Sequence, residues 1–79
     1  MDFLTTNDVA KILKKDRHYV GMLRQAGLLD FYRFGRGYMH TEEQIKKFLS
    51  IAENYDLSTK EKVILAGMHE REKGKKHDR

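Results

Sequence analysis

Helix starts, more than apolar runs, constrain this chain. Thr5 and Asp8, Thr41 and Gln44, and Ser58 and Glu61 each set a hydroxyl three places ahead of a carboxylate or amide. At that spacing the two side chains close reciprocally on each other's backbone N–H groups. Asp16 supplies a fourth N-cap, and Gly27 is a stop able to take positive φ. These signals predict four helices, with one helix-free stretch between the second and the third.

The apolar spacing fits that frame. Val9, Ala10, Ile12 and Leu13 form a stripe about two turns long behind Thr5. The second helix, over 17–26, buries Val20 and Leu23 with the edge of Ala26. Behind Thr41, Ile45, Phe48, Leu49 and Ala52 repeat at i, i+3, i+4 and i+7, the cleanest helical stripe in the chain. Between them, Phe31-Tyr32-Arg33-Phe34 and Tyr38-Met39-His40 flank Gly35-Arg36-Gly37, which reads as a hairpin with a three-residue connection. Phe31, Tyr32, Phe34 and Tyr38 are expected as core and cross-strand pairs; as the alternative, they would form a stacking platform for single-stranded nucleic acid. The last helix holds Val63, Ile64, Leu65, Ala66 and Met68, more apolar than solvent requires. It docks on its own core or on a second copy or partner. From Glu70 to Arg79 there is no apolar residue, and fraying is expected. The expected organisation is a main unit over 1–55, a C-terminal helix over 56–70 and a basic flexible tail over 71–79.

Size and composition narrow the function. Seventy-nine residues give one small unit with little room for both a core and a substrate pocket. The chain has no cysteine, which removes disulfides, thiolate metal sites and sulfur redox chemistry. His18, His40, His69 and His77 show no metal-ligand spacing, and Glu42-Glu43 is a helix start rather than an acid/base pair. No nucleophile triad or phosphate-cradling glycine loop is present. Neither enzyme nor cofactor is expected. No apolar run reaches the ~18 residues of a membrane span and no signal peptide is read, so a cytoplasmic location is expected. The net charge is +4 with a pI of about 9.4, and the excess sits mainly in residues 31–40 and 55–79. That suits a polyanionic partner.

On a wheel of ~100° per residue, Val20 and Leu23 face inward in the second helix. His18, Gly21, Met22 and Gln25 then face outward, with Arg17 and Arg24 on one flank and Tyr19 on the other. Asp16, the cap, is the only acid between Lys11 and Asp30. Such a face can read a major groove: glutamine pairs with adenine, arginine with guanine or phosphate, and a methionine methyl sits against thymine. Gly21 would let the backbone come close. A polar solvent face is the equally weighted alternative.

The neighbouring segments decide between them. The spacing of Val9-Ala10, Leu13, Val20 and Leu23 resembles a helix-turn-helix. The match extends over about residues 4–49 through Gly27-Leu28-Leu29, Tyr32-Arg33-Phe34-Gly35-Arg36 and Thr41 to Leu49. Together these resemble the MerR-type winged helix, specifically its short excisionase-like branch. The resemblance implies a mainly α winged helix-turn-helix with a small β-hairpin that binds double-stranded DNA sequence-specifically. It implies an architectural factor of a mobile element that bends DNA and steers an integrase or recombinase towards excision. A small transcriptional repressor on the same fold is the alternative, and a protein-interaction module with residual DNA affinity is a third reading. A homodimer or cooperative multimer on DNA fits the small footprint of one module. The implied DNA contacts are Arg17, His18, Tyr19, Gly21, Met22, Arg24 and Gln25 on the recognition helix. Lys14 and Lys15 would contribute from the turn, and Arg33, Gly35, Arg36 and Gly37 from the wing, with Arg36 at its tip. Two departures stand out. Lys14-Lys15 replace the family's usual glycine and apolar residue in the turn, and Gly21-Met22 stand where MerR-type regulators often carry Arg-Tyr.

Overall fold

In the computed structural model, which describes residues 2–75, the elements run β1 (Leu4–Thr5), α1 (Thr6–Leu13), α2 (Arg17–Gln25), β2 (Tyr32–Phe34), β3 (Gly37–His40), α3 (Glu42–Ala52) and α4 (Lys60–Lys75). Local chemistry sets most of their ends. The Asp8 N–H donates to Thr5 Oγ1 (3.1 Å) and the Thr5 N–H to Asp8 Oδ2 (2.9 Å), which holds the Asp8 carboxyl below its ordinary pKa. Thr41 and Gln44 close the same box on α3. α1 ends where Lys14 turns left-handed, at φ 60° and ψ 41°, and the Lys15 N–H donates back to Ala10 O (2.9 Å). Asp16 then caps α2 by accepting from the Tyr19 N–H (2.9 Å). Gly27, at φ 83°, finishes α2 as a Schellman motif: the Leu28 N–H reaches Leu23 O (3.0 Å) and the Gly27 N–H reaches Arg24 O (3.1 Å).

The three strands form an antiparallel sheet in the order β1-β3-β2. Leu4 pairs with His40 and Thr5 with Met39; Tyr32 pairs with Met39, Arg33 with Tyr38, and Phe34 with Gly37. Phe34 and Gly37 are thus joined by a two-residue turn, Gly35-Arg36, one residue shorter than expected. Gly35 at φ 81° takes the position where a type II′ connection needs glycine. Strand alternation puts Arg33, Tyr38, His40 and Leu4 on one face, and Tyr32, Phe34, Met39 and Thr5 on the other.

Val9, Ala10, Val20, Leu23, Ala26, Leu28, Leu29, Ile45, Phe48, Val63 and Ala66 form one buried cluster. The hairpin aromatics do not join it. Phe31, Tyr32 and Phe34 are exposed, Phe34 to 61%. Three short strands have one face against the helices, and among the described residues no helix packs on the other. There Phe3, Tyr32 and Phe34 lean on one another, with ring centroids 5.7–5.9 Å apart. Ile12 and Leu49 also face solvent.

α4 docks on the core of its own chain through Val63, Ala66 and Gly67. Its cap is Thr59 rather than Ser58, since Thr59 Oγ1 accepts from the Lys62 N–H (3.2 Å). Asp56 accepts from the Ser58 N–H (3.0 Å) and from Lys62 Nζ (2.7 Å), which pulls its carboxyl down to about 2. Tyr55 Oη donates to Glu70 Oε2 (2.7 Å) and accepts from His69 Nδ1 (2.5 Å). The helix continues to Lys75, so residues 70–75 are helical rather than frayed tail. The rest of the expected tail, 76–79, lies outside the described residues. Among the described residues no helix is long and apolar enough to cross a membrane.

Candidate nucleic-acid interface

The face of α2 expected to be open is flanked on both sides. On the Arg24 side lies the hairpin. The Arg24 guanidinium sits 3.8 Å from the centroid of the Tyr38 ring, and Arg33 lies 4.8 Å from that same centroid. Arg24 Nη1 also donates to Thr6 Oγ1 (3.2 Å). Partial burial lowers the Arg24 pKa, and the neighbouring Arg33 charge acts in the same direction. An aromatic face offers such cations a quadrupole in place of lost water. Phe31 meets Tyr38 edge-on at 5.1 Å. One tyrosine therefore ties helix and hairpin together.

On the other side lie α4 and the loop before it. Tyr19 Oη donates to Leu57 O (2.7 Å), and Lys15 Nζ stands 5.2 Å from the Tyr19 ring centroid. Burial raises the Tyr19 pKa. Tyr19 thus lies on the flank where the wheel puts it, and its hydroxyl anchors the α3–α4 loop. Met22, half-buried, lines a cleft of about 230 Å³ with Gln25, Ala26 and residues of α4.

Between these flanks a strip of α2 stays uncovered, and Arg17, His18 and Gln25 are exposed on it. Gly21 lies in the same strip. Its φ is not positive, and a Cβ there would meet only Arg24 Nη2 at an ordinary 3.7 Å. Nothing in the chain's own packing requires glycine at a position where it costs about 1 kcal/mol relative to alanine.

Within the hairpin the two arginines differ. Arg33 donates from Nε to Gly35 O (3.3 Å), from Nη1 to Tyr38 Oη (3.2 Å) and from Nη2 to Arg36 O (3.5 Å). Its guanidinium braces the turn. The Arg36 side chain makes no ion pair or hydrogen bond among the described residues and stands exposed in the turn, between Gly35 and Gly37. Lys14 and Lys15 are exposed beside the start of α2.

The ion pairs among the described residues are Lys47–Asp30, Lys62–Asp56 and Lys73–Glu70. None neutralises a cation of α2, of the preceding turn or of the hairpin. No set of three His, Cys, Asp or Glu side chains converges as a metal site among the described residues. The sequence gives no signal for Tyr38 as the joint between helix and hairpin, because that role depends on two arginines, fourteen residues before it and five before it, meeting on one ring.

No family model, curated protein or solved structure matches the chain. What the surface can do rests on its own chemistry. It offers unpaired cations around a hydrogen-bonding helix strip, with no acid from Arg17 to Leu29.

Proposed function

We propose that the protein is a sequence-specific double-stranded DNA-binding protein. On this reading α1, the Lys14–Asp16 turn and α2 act as a helix-turn-helix and the β2–β3 hairpin as its wing. One observation carries the proposal: the uncovered strip of α2 with His18, Gly21 and Gln25, set beside a hairpin whose tip holds an unpaired arginine. A helix of this width fits the major groove, and a cation at the adjacent tip is drawn to the minor groove or backbone. The glycine without an internal packing reason fits close approach of a partner. Within this reading the protein acts as an excisionase-like architectural factor, with a small repressor on the same surface as the alternative. A duplex with two such sites would separate them, since an architectural factor changes its bend and a simple repressor need not.

The decisive experiment is a salt titration on duplex DNA, using sites selected from a random library beside random duplexes. A groove reader loses affinity linearly in log–log salt. Gln25→Ala costs about 1–3 kcal/mol on the selected site and relaxes preference at one base pair. An equal loss on random DNA would remove Gln25 as a reader. Exposed Ile64, Leu65 and Met68 on α4 favour a second reading as a protein-interaction module, which a salt-insensitive response would support.

A further inference from the structure

α4 presents two kinds of cation. Lys62 and Lys73 are each held by an acid, Asp56 at 2.7 Å and Glu70 at 3.3 Å. Lys60 and Arg71 form no ion pair or hydrogen bond among the described residues and are exposed. They stand eleven positions apart, about three turns, so they project from the same side of the helix. That side is the one turned to α2: both line the cleft that Met22 and Gln25 line from the other wall, with Ile64 between them. Among the described residues no acidic side chain lines this cleft. Arg71 also borders a neighbouring cavity that Asp30 and Glu70 line, but those carboxylates are engaged, Asp30 by Lys47 and Glu70 by Tyr55 and Lys73.

Among the described side chains, the unpaired cations of α4 are thus the ones beside Gln25, on the flank of α2 opposite the hairpin. We infer that Lys60 and Arg71 form a second phosphate-binding ridge, which holds the DNA backbone on that flank while Arg36 holds it on the other. The roughly 16 Å that eleven helical residues span exceeds the 3.4 Å between successive charges of one strand along the duplex axis, so each cation meets its own phosphate. Two flanking ridges fix the angle at which α2 enters the groove, and they carry no base information themselves.

This inference rests on the reading of duplex DNA as the ligand, and its test separates the two. Lys60→Gln and Arg71→Gln, singly and together, are titrated with salt on selected and random duplexes. Lys62→Gln serves as a charge-matched control from the same helix. Each of the first two substitutions lowers the log–log slope by about 0.9, equally on both duplexes, with the melting temperature unchanged. The control leaves the slope as in the wild type. A wild-type slope retained in the double variant overturns the ridge and leaves the DNA reading standing. So does an equal fall in the control, which would mean that net charge alone is sensed. A flat wild-type titration removes the DNA reading and the ridge with it.

Discussion

Lys14 stands at φ 60°, a conformation that costs an L side chain about 1–2 kcal/mol. It is held there because Lys15 must return its N–H to Ala10 while Asp16 arrives one residue later to cap α2. Lys14→Gly removes that strain at the expense of some unfolded-chain entropy, for a net gain of about 1 kcal/mol. The melting temperature then rises by several degrees, and DNA affinity stays unchanged. A lower melting temperature would show that the left-handed turn is not the source of strain; weakened binding would make Lys14 a phosphate ligand. His40 is the other exceptional residue. Its side chain is fully buried, Nδ1–H donates to Asp30 O (3.0 Å), and Nε2 has no partner among the described residues. Burial depresses its pKa below 6.5, helped by the Arg24 charge and opposed by the bond to Asp30. The sign follows directly: below pH 6.5 the unfolded chain takes up a proton that folded His40 refuses. Stability is therefore full above that pH and falls as pH drops towards the folded pKa, by at most about 1.4 kcal/mol per pH unit. Urea unfolding at stepped pH should show this slope in the wild type and a smaller one in His40→Gln; the same slope in both would exonerate His40.

Among the elements, α4 is seated by an absence of side chain. A Cβ at Gly67 would lie 2.3 Å from the Ala26 carbonyl oxygen and 3.0 Å from the Ala26 Cβ. The obstacle is the main-chain end of α2, itself fixed by the Schellman closure, so it has no room to yield. Gly67→Ala should cost about 1–3 kcal/mol, seen as a lower urea midpoint, despite alanine's better helix propensity. A higher midpoint would mean that α4 does not sit against Ala26. Helix starts at Thr5, Asp16 and Thr41 were legible in the sequence because a cap lies within three residues of its partner. β1 was not, since two residues gain strand character only from β3, far along the chain. Nor was the length of α4: periodicity is silent where no apolar residue recurs, and the helix past Glu70 is supported by tethers such as Lys73–Glu70 and Tyr55–Glu70. The aromatics misled for a related reason. Their composition reads as core, but a sheet of three short strands has, among the described residues, no helix on its outer face.

For the whole molecule, the proposed surface is assembled from parts that are remote in sequence. The wheel placed His18, Gly21 and Gln25 outward, because Val20 and Leu23 fix the phase of α2. It could not foresee that Tyr19 bonds Leu57 or that Arg24 stacks on Tyr38, since each depends on a distant segment, nor that Arg33 braces its own turn, a bond to nearby carbonyls that helical phase does not read. Arg36 is the hairpin arginine left with a free fork. Arg36→Ala should weaken binding to all duplexes alike and lower the salt slope by about one; an unchanged slope would take the hairpin out of the interface. Arg33→Ala, by contrast, acts through the shape of the hairpin turn.

The seating of Val63 and Ala66 in the buried cluster shared with α1, α2 and α3 has a consequence for how far the chain can be shortened. A fragment stopped at residue 55, although it would retain α1, α2 and the hairpin, would uncover Ala26, against which Gly67 of α4 now packs. The stability of residues 2–55 is therefore expected to depend on α4, and a urea midpoint lower for that fragment than for the chain would show it.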